Sequence, residues 1–464
     1  MLFRTTLSAK LLAGISALWL ALFPLFAYGV TSVEGDPTVD SDNAIPDDTA
    51  WYSLHGQATY ILQYKNRFNS PYVGEKSLLS TGDVGKSYTV TVTPFIGIRP
   101  WKGTEFFYNP EAAEGMPFSN LSGLGGFTNG EMQRGNMVPM QFYNARAFVR
   151  QTIGLGGGVE HIEDGPNQIK GNVDKRRIAL TYGWLSALDY FDSNRYSHDP
   201  RTQFLNWSIM AAGAYDFAAN GRGYTYGLVG EYFDEGWTVR LARLAMPKSP
   251  NGMALDYQLT KQYGDTLEVE REHKLFDQDG AMRVLFFQNR GIMATFNDAV
   301  NQAQQTGVTP PNILTSRTGY QNKWGYVLNA EQAVMDDIGL FARWSWNNGQ
   351  SETEAFTDIS RSLSAGTSVK GSFWGRPKDT YGLAFAFNGI SSSQINYLNQ
   401  GGSTMFIGDG KITYQGERIV ETYYSIGLFK GAYLSADYQY IRNPAYNSDR
   451  GPVSFFGFRA HFEL

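Results

Sequence analysis

The C-terminal stretch Ala432–Leu464 constrains the fold most. It holds two runs of alternating residues, Ala432–Ile441 and Val453–Leu464, separated by the polar loop Arg442–Pro452. In the first run Ala432, Leu434, Ala436, Tyr438 and Tyr440 share one face, and Ser435, Asp437 and Gln439 share the other. In the second, Phe456, Phe458, Ala460, Phe462 and Leu464 alternate with Gly457, Arg459, His461 and Glu463. Successive side chains of a strand point to opposite faces, so each run is a ribbon, apolar on one side and polar on the other. A soluble sandwich would turn the apolar side to a core. A membrane barrel turns it to lipid and lines a wet lumen with the charges. An aromatic strand running to the last residue favours the barrel.

The other end of the chain supports that choice. Met1–Gly29 has the form of a secretory signal: Arg4 and Lys10 open it, Leu11–Phe26 is apolar, and Ala27-Tyr28-Gly29 offers small residues for cleavage. A permanent anchoring helix is the alternative, since about twenty apolar residues can span a bilayer. Pro24 and the acidic segment that follows favour cleavage. No later stretch is comparably apolar, so membrane residence of the mature chain must be as strands. The expected organisation is a leader over 1–29, an acidic lead-in over 30–50, and one barrel domain over 51–464. A mean hydropathy of −0.32 excludes a helical bundle but not a barrel, whose strands give half their residues to the lumen.

Alternation begins again at Tyr52, where Tyr52, Leu54, Ala58, Tyr60, Leu62 and Tyr64 oppose Ser53, His55, Gln57, Thr59, Gln63 and Lys65. In Tyr88–Arg99, Val90, Val92, Ile96 and Ile98 oppose Thr89, Thr91 and Thr93. Further runs are Phe142–Thr152, Arg177–Leu185, Trp207–Phe217, Tyr224–Asp234, Trp237–Met246, Leu267–Leu275, Ala281–Ala294, Lys323–Val334, Ile338–Asn347, Thr367–Trp374, Tyr381–Asn388 and Ile419–Phe429. Short connectors such as Asp277–Gly280 and Lys430–Gly431 alternate with long ones such as Thr295–Asn322 and Gly389–Arg418. One rim of tight turns and one of long loops is the outer-membrane arrangement. An all-β, transmembrane antiparallel β-barrel is therefore expected. Its strand number must be even: sixteen, or eighteen if the glycine-broken Gly156–Glu163 belongs to the wall.

The loops resemble those of the carbohydrate-selective porins, the OprB-like family. The stretch from Phe191 to Trp207, Phe-Asp-Ser-Asn-Arg-Tyr-Ser-His-Asp-Pro-Arg-Thr-Gln-Phe-Leu-Asn-Trp, carries most of the likeness. Tyr108-Asn109-Pro110-Glu111, Asn129-Gly130-Glu131, Trp374-Gly375-Arg376-Pro377, Ile407-Gly408-Asp409-Gly410 and the run Asn443–Pro452 add to it in order. The resemblance implies a sixteen-stranded outer-membrane barrel that lets sugars diffuse passively into the periplasm. Such barrels usually end in Phe or Trp, where this chain has Leu464.

A sugar channel must replace part of a solute's hydration shell without holding it tightly. Arginine donors with Asp, Asn and Gln acceptors suit vicinal hydroxyls, and aromatic faces suit the apolar sides of sugar rings. Periodicity places Arg99, Glu105, Arg146, Arg150, Asp437, Gln439, Arg459 and His461 on the lumen side; a solvated wall of paired charges is the plainer account of most of them. The long segment Asn109–Gln141, with Glu111, Glu114, Glu131 and Arg134, is expected to be a loop that narrows the lumen. Tyr190–Asn206, with Asp192, Asn194, Asp199 and Arg201, is the second candidate constriction, or else a motif that pins a loop to the wall through Asp–Arg bonds. Trp344 and Trp346 belong with Leu340 on the lipid side. Trp374 falls with Ser368, Lys370 and Ser372 and is a candidate sugar platform.

Other chemistries fit less well. With no cysteine among 464 residues, disulfides and thiolate sites are excluded. A net charge of −5 argues against nucleic-acid binding. The five histidines never take a zinc-pair spacing, and Gly82–Ser87 ends like a phosphate loop but has Ser80 at the first glycine position. Asp192, Asn194 and Asp199 leave a Ca²⁺ site open, though without an EF-hand pattern. No cofactor is expected. The expected partners are small sugars, outer-membrane lipid and lipopolysaccharide, in a monomer or homotrimer. A general or anion-preferring porin is the alternative, then a barrel enzyme using Glu268 and Glu270, and last a secreted lectin.

Overall fold

The computed structural model describes residues 49–81, 85–134 and 138–464. Among them sixteen strands close into one antiparallel barrel. In chain order these are β1 (Tyr52–Lys65), β2 (Lys86–Trp101), β3 (Thr104–Met116), β4 (Gln141–Gly154), β5 (Arg177–Leu185), β6 (Thr225–Asp234), β7 (Trp237–Ala245) and β8 (Tyr263–Leu275). They continue as β9 (Gln278–Ile292), β10 (Tyr320–Met335), β11 (Ile338–Asn347), β12 (Arg361–Lys370), β13 (Thr380–Gly389), β14 (Glu417–Phe429), β15 (Ala432–Arg442) and β16 (Val453–Glu463). Each pairs with its sequence neighbours, and β1 closes on β16 with Gln57 opposite Glu463 and Lys65 opposite Phe455. Closure leaves no edge among the sixteen described barrel strands unpaired, as a lipid environment requires. The expected leader, Met1–Gly29, and most of the acidic lead-in lie outside the described residues.

Sixteen strands form, but two expected assignments change places. Trp207–Phe217 is not in the wall. Leu205–Ala219 is buried at every position, whereas a wall strand shows alternate residues to lipid. Asn206 instead caps a single helical turn, Trp207–Met210, its side chain accepting the Ser208 N–H. Conversely, the first part of the expected loop Asn109–Gln141 is the second half of β3. Gly156–Glu163 contributes no wall strand; Val159–Ile162 pairs with Gly171–Asp174 in a separate two-stranded sheet. The expected run Thr367–Trp374 is cut short, because β12 ends at Lys370 and Gly371–Trp374 forms a 3₁₀ turn closed by Gly375 at φ +75°.

Faces follow the predicted alternation. Thr89, Thr91 and Thr93 are buried towards the lumen, while Leu340, Trp344 and Phe387 are exposed outside. Trp324, Tyr326, Trp344 and Trp346 touch one another in an outer aromatic band. Two-residue turns join β6 to β7, β8 to β9, β10 to β11 and β14 to β15, while residues 186–224, 293–319 and 390–416 form long connections on the opposite rim. Long loops mark the extracellular side.

A break in register between β3 and β4 shapes the lumen. Asn109 faces Arg146, but Pro110 faces Asn144, so Ala145 is skipped. Pro110 has no N–H for a ladder, and such residues sit at bulges. Pro94 falls in a matching gap on β2, between the pairs Val92↔Ala112 and Ile96↔Tyr108. The skip changes parity within β4. Tyr143 above the bulge and Arg146 below it both point into the lumen, which strict alternation forbids.

Candidate permeation site

The site is built by loops that fold back into the barrel and are held there by charged wall residues. In the connection 186–224, Asp192 meets Arg343 of β11 at 2.9 Å and Asn329 of β10 at 2.7 Å. Wall carboxylates accept backbone N–H groups from the same segment: Glu268 from Asp192 (2.8 Å), Glu331 from Arg195 (2.6 Å) and Glu421 from Asn206 (3.1 Å). Arg459 of β16 donates to the carbonyls of Pro200, Thr202 and Gln203 at 2.6–3.0 Å. Such charge-assisted bonds are about twice as strong as neutral ones. They answer a need, since a loop moved into a barrel otherwise strands its backbone polar groups.

The segment after β3 is held likewise. Glu417 accepts the N–H groups of Gly125 and Gly126 at 3.0 and 2.8 Å, and Gln63 and Gln439 both donate to the Thr128 carbonyl at 2.8 Å. From the connection 348–360, Glu354, Ala355 and Phe356 donate backbone N–H groups to Asp216, which Lys323 approaches at 3.0 Å. Phe356 then stacks on Trp207 with ring centroids 5.4 Å apart.

Between these inserts and the β2–β4 wall lies a cavity of about 570 Å³, within the range of small-molecule sites. Its charged lining is of both signs. Arg201 pairs with Glu131 at 2.9 Å and Glu111 at 3.3 Å. Glu111 also accepts from Thr93 (2.6 Å), Tyr224 (3.3 Å) and Tyr143. Arg146 clamps Asp189 with Nε and Nη2, each at 2.6 Å, and its guanidinium lies 5.4 Å from the Tyr224 ring. Arg150 donates to the Asn167 carbonyl at 3.1 Å and rests against Phe107 and Phe148. Pro166, Asn167 and Gln168 bring the periplasmic-side connection into the lining, and Phe95, Phe148, Trp207 and Phe356 supply apolar faces. Among the described residues Arg146 Nη1 and His198 Nδ1 are buried without a hydrogen-bond partner, and both residues line the cavity.

Burial raises the pKa of the Glu131 carboxyl, with the Arg201 cation opposing. Burial works against the Arg201 cation too, but Glu131 and Glu111 outweigh it and hold its pKa well above the usual value. The His198 pKa is lowered by burial and then by Arg343, so the ring is neutral at pH 7. Burial lowers Arg134 to about 10, still cationic at neutral pH.

The cavity brings together Glu111, Glu131, Arg134, Arg146, Arg150, Asp199 and Arg201 of the predicted residues. Glu105 stands behind Arg150 at 3.6 Å and is gripped by Arg99 at 2.6 Å. Arg99 also donates to the carbonyls of Ala50, Ile169 and Lys170 and so ties down the periplasmic side. Asp192 and Asn194 belong to the anchor rather than the cavity. Asp192 is occupied by Arg343, Asn329 and the Ala212 N–H, and Asn194 donates to Asn329 at 2.8 Å. That speaks against the Ca²⁺ reading, because the oxygens such an ion would need are already accepting: Asp192 from Arg343, Asn329 and Ala212, and Asn194 Oδ1 from the Tyr196 N–H at 3.0 Å. Asp437 and Gln439 face inward but lie under the inserts, with Gln439 accepting from Asn206. Trp374 is the clearest correction: it sits in the turn between β12 and β13 and donates to the Tyr424 hydroxyl at 2.8 Å. With β12 ending at Lys370, strand parity no longer governs residue 374. Glu268 and Glu270 converge on Arg240 at 3.0 and 2.5 Å instead of flanking a cleft.

Several residues in or beside the cavity were not among the predicted ones. Asp189 comes from a 3₁₀ turn, Ala187–Asp189, with a capping box on Ser186, and the Ser-x-x-Asp spacing could have marked that turn. Tyr143 required the bulge. Trp207, His198 and Phe356 arrive from loops through non-local packing.

A closed sixteen-stranded barrel narrowed by its own loops is the architecture of an outer-membrane porin. Comparison with protein families goes further. Residues 98–464 match the carbohydrate-selective porin, OprB family, and the chain belongs to that family. The high-pH structure of OprB from Pseudomonas putida is similar with a TM-score of 0.67 at 15% identity, covering 89% of this chain and 94% of that one. The outer membrane channel DcaP of Acinetobacter baumannii gives a TM-score of 0.48 at 10% identity over 89% and 97% of the two chains. Comparison with curated proteins gave no match.

Proposed function

We propose that the mature barrel carries mono- and small oligosaccharides of the glucose type by passive diffusion into the periplasm, through the cavity bounded by Arg146, Arg150, Glu111, Glu131 and Arg201. The supporting observation is the mixed lining: arginine donors, carboxylate acceptors and the aromatic faces of Phe95, Phe148, Trp207 and Phe356 border one cavity. Hydroxyls can exchange water for Arg and carboxylate partners, and neither sign of charge dominates enough to make the passage an ion trap. The leader over 1–29 is proposed to be cleaved on export, leaving the acidic lead-in over 30–50 followed by one channel domain over 51–464.

Single-channel recording of the refolded chain in a planar bilayer, with glucose and then a disaccharide titrated in, tests this. Saturable block at millimolar-scale sugar supports a lumenal sugar site; ohmic current untouched by sugar refutes it. The same recording tests a second reading. Five arginines line the cavity, Arg134, Arg146, Arg150, Arg201 and Arg222, against four carboxylates, Glu111, Glu131, Asp189 and Asp199. That one-charge excess favours a weak anion preference, visible as a reversal potential displaced towards chloride.

A further inference from the structure

Arginines on the lipid-facing side of this barrel have recognisable partners in several places. Arg243 on β7 grips Asp265 of β8 at 2.8 and 2.7 Å, with the Tyr263 ring 4.1 Å from its guanidinium. Arg290 on β9 lies 5.0 Å from the ring of Tyr320. Arg418 and Arg442 differ. Arg418 is the second residue of β14, after the long connection 390–416, and Arg442 is the last residue of β15. The register sets them directly opposite each other. Glu417, Ile419 and Ile441 are buried towards the lumen, so alternation turns both arginines outward, and both are exposed. Like charges directly opposite across a ladder repel, yet among the described residues neither side chain has a hydrogen bond, ion pair or ring contact.

Among the described residues their neighbour Arg361 has no ion pair either. Arg361, the first residue of β12, is exposed on the same rim and donates only to neutral oxygens, the Ile390 carbonyl at 3.1 Å and the Tyr414 hydroxyl at 3.4 Å. Phe387 of β13 lies opposite Arg418 and is 51% exposed. Glu417 is committed inward to the N–H groups of Gly125, Gly126 and Ala445. Asp449 is occupied by Tyr72 and Thr413 at 2.8 and 2.9 Å. Three cations thus stand at the extracellular lipid boundary beside an exposed aromatic ring.

We propose that Arg361, Arg418 and Arg442 form a site for the phosphate groups of a phosphorylated lipid headgroup in the outer leaflet, of the lipid A class, with Phe387 against its acyl chains. Guanidinium forks match phosphate oxygens two at a time, and one phosphate between Arg418 and Arg442 turns their repulsion into attraction. The site rests on the barrel's place in the membrane and is independent of what crosses the lumen.

The test uses the refolded mature chain in detergent, titrated with bisphosphorylated lipid A, with dephosphorylated lipid A and with inorganic phosphate, and read by native mass spectrometry. The phosphorylated lipid is expected to bind at least tenfold tighter than the dephosphorylated one. R418Q/R442Q is expected to lose at least tenfold, while K102Q/K430Q, which removes two charges from the two-residue turns of the opposite rim, is expected to change nothing. Heat-modifiable gel mobility reports folding, and the single variant R442Q serves if the double variant does not assemble. Equal binding by the arginine variant, or by the dephosphorylated lipid, overturns the proposal. Inorganic phosphate competing at the same concentration as the lipid assigns the arginines to a free anion instead.

Discussion

Replacing Arg146 by lysine separates sugar recognition from charge. Arg146 commits Nε and Nη2 to Asp189, both at 2.6 Å, while Nη1 has no partner among the described residues and belongs to a cavity-lining side chain. Lysine can keep the ion pair with Asp189 but has no planar fork with which to address Asp189 and a sugar hydroxyl together. The net charge of the lining is unchanged, so open-channel conductance and ion selectivity should stay near those of the wild type. Sugar affinity should fall. A hydrogen bond involving a charged group is worth about 1.5–3 kcal/mol, and 1.4 kcal/mol is about tenfold in affinity. The half-blocking glucose concentration should therefore rise by at least roughly tenfold. Planar-bilayer titration measures both quantities on one channel. A half-blocking concentration within about twofold of the wild type, with conductance unchanged, refutes the role assigned to Nη1.

Further outcomes follow from the same geometry. Arg146→Ala with Arg150→Ala leaves three lining arginines against the four carboxylates, so sugar block should weaken and the reversal potential should move towards cations; a shift towards anions contradicts the charge balance. As pH falls from 7, Glu131, its pKa raised by burial, is expected to be protonated above the ordinary carboxylate range. Protonation removes a negative charge beside Arg201, so anion preference should grow on acidification, and Glu131→Gln should show that preference already at pH 7. Arg343→Met leaves Asp192 buried without its cation, a change that costs about 3–5 kcal/mol, and should lower the temperature at which the heat-modifiable band shifts. Shortening the insert between Leu121 and Arg134 should raise conductance, and an unchanged value would place that segment outside the current path. Trp374→Ala should leave sugar block unaltered.

The alternation of Ala432–Ile441 and Val453–Glu463 was enough to identify two wall strands, because a period of two is a local property of the backbone. The same signal, with the contrast between two-residue turns and long connections, determined the barrel, its orientation and the lumenal face of Arg150, Gln439 and Arg459. It failed where the chain stopped behaving as a wall. Leu205–Ala219 is apolar enough to imitate a strand but is buried on every side, and Trp374 follows a strand that ends four residues earlier. Tertiary structure alone decided which inward residues meet the cavity and which are covered. Gln439 and Glu421 lie beneath segments more than two hundred positions away in sequence, whereas Arg146 and Arg150 border the cavity. Periodicity fixes the direction of a side chain. What stands in front of it depends on which loop folds back, and that is set by carboxylates and arginines on remote strands meeting backbone groups that no local pattern records.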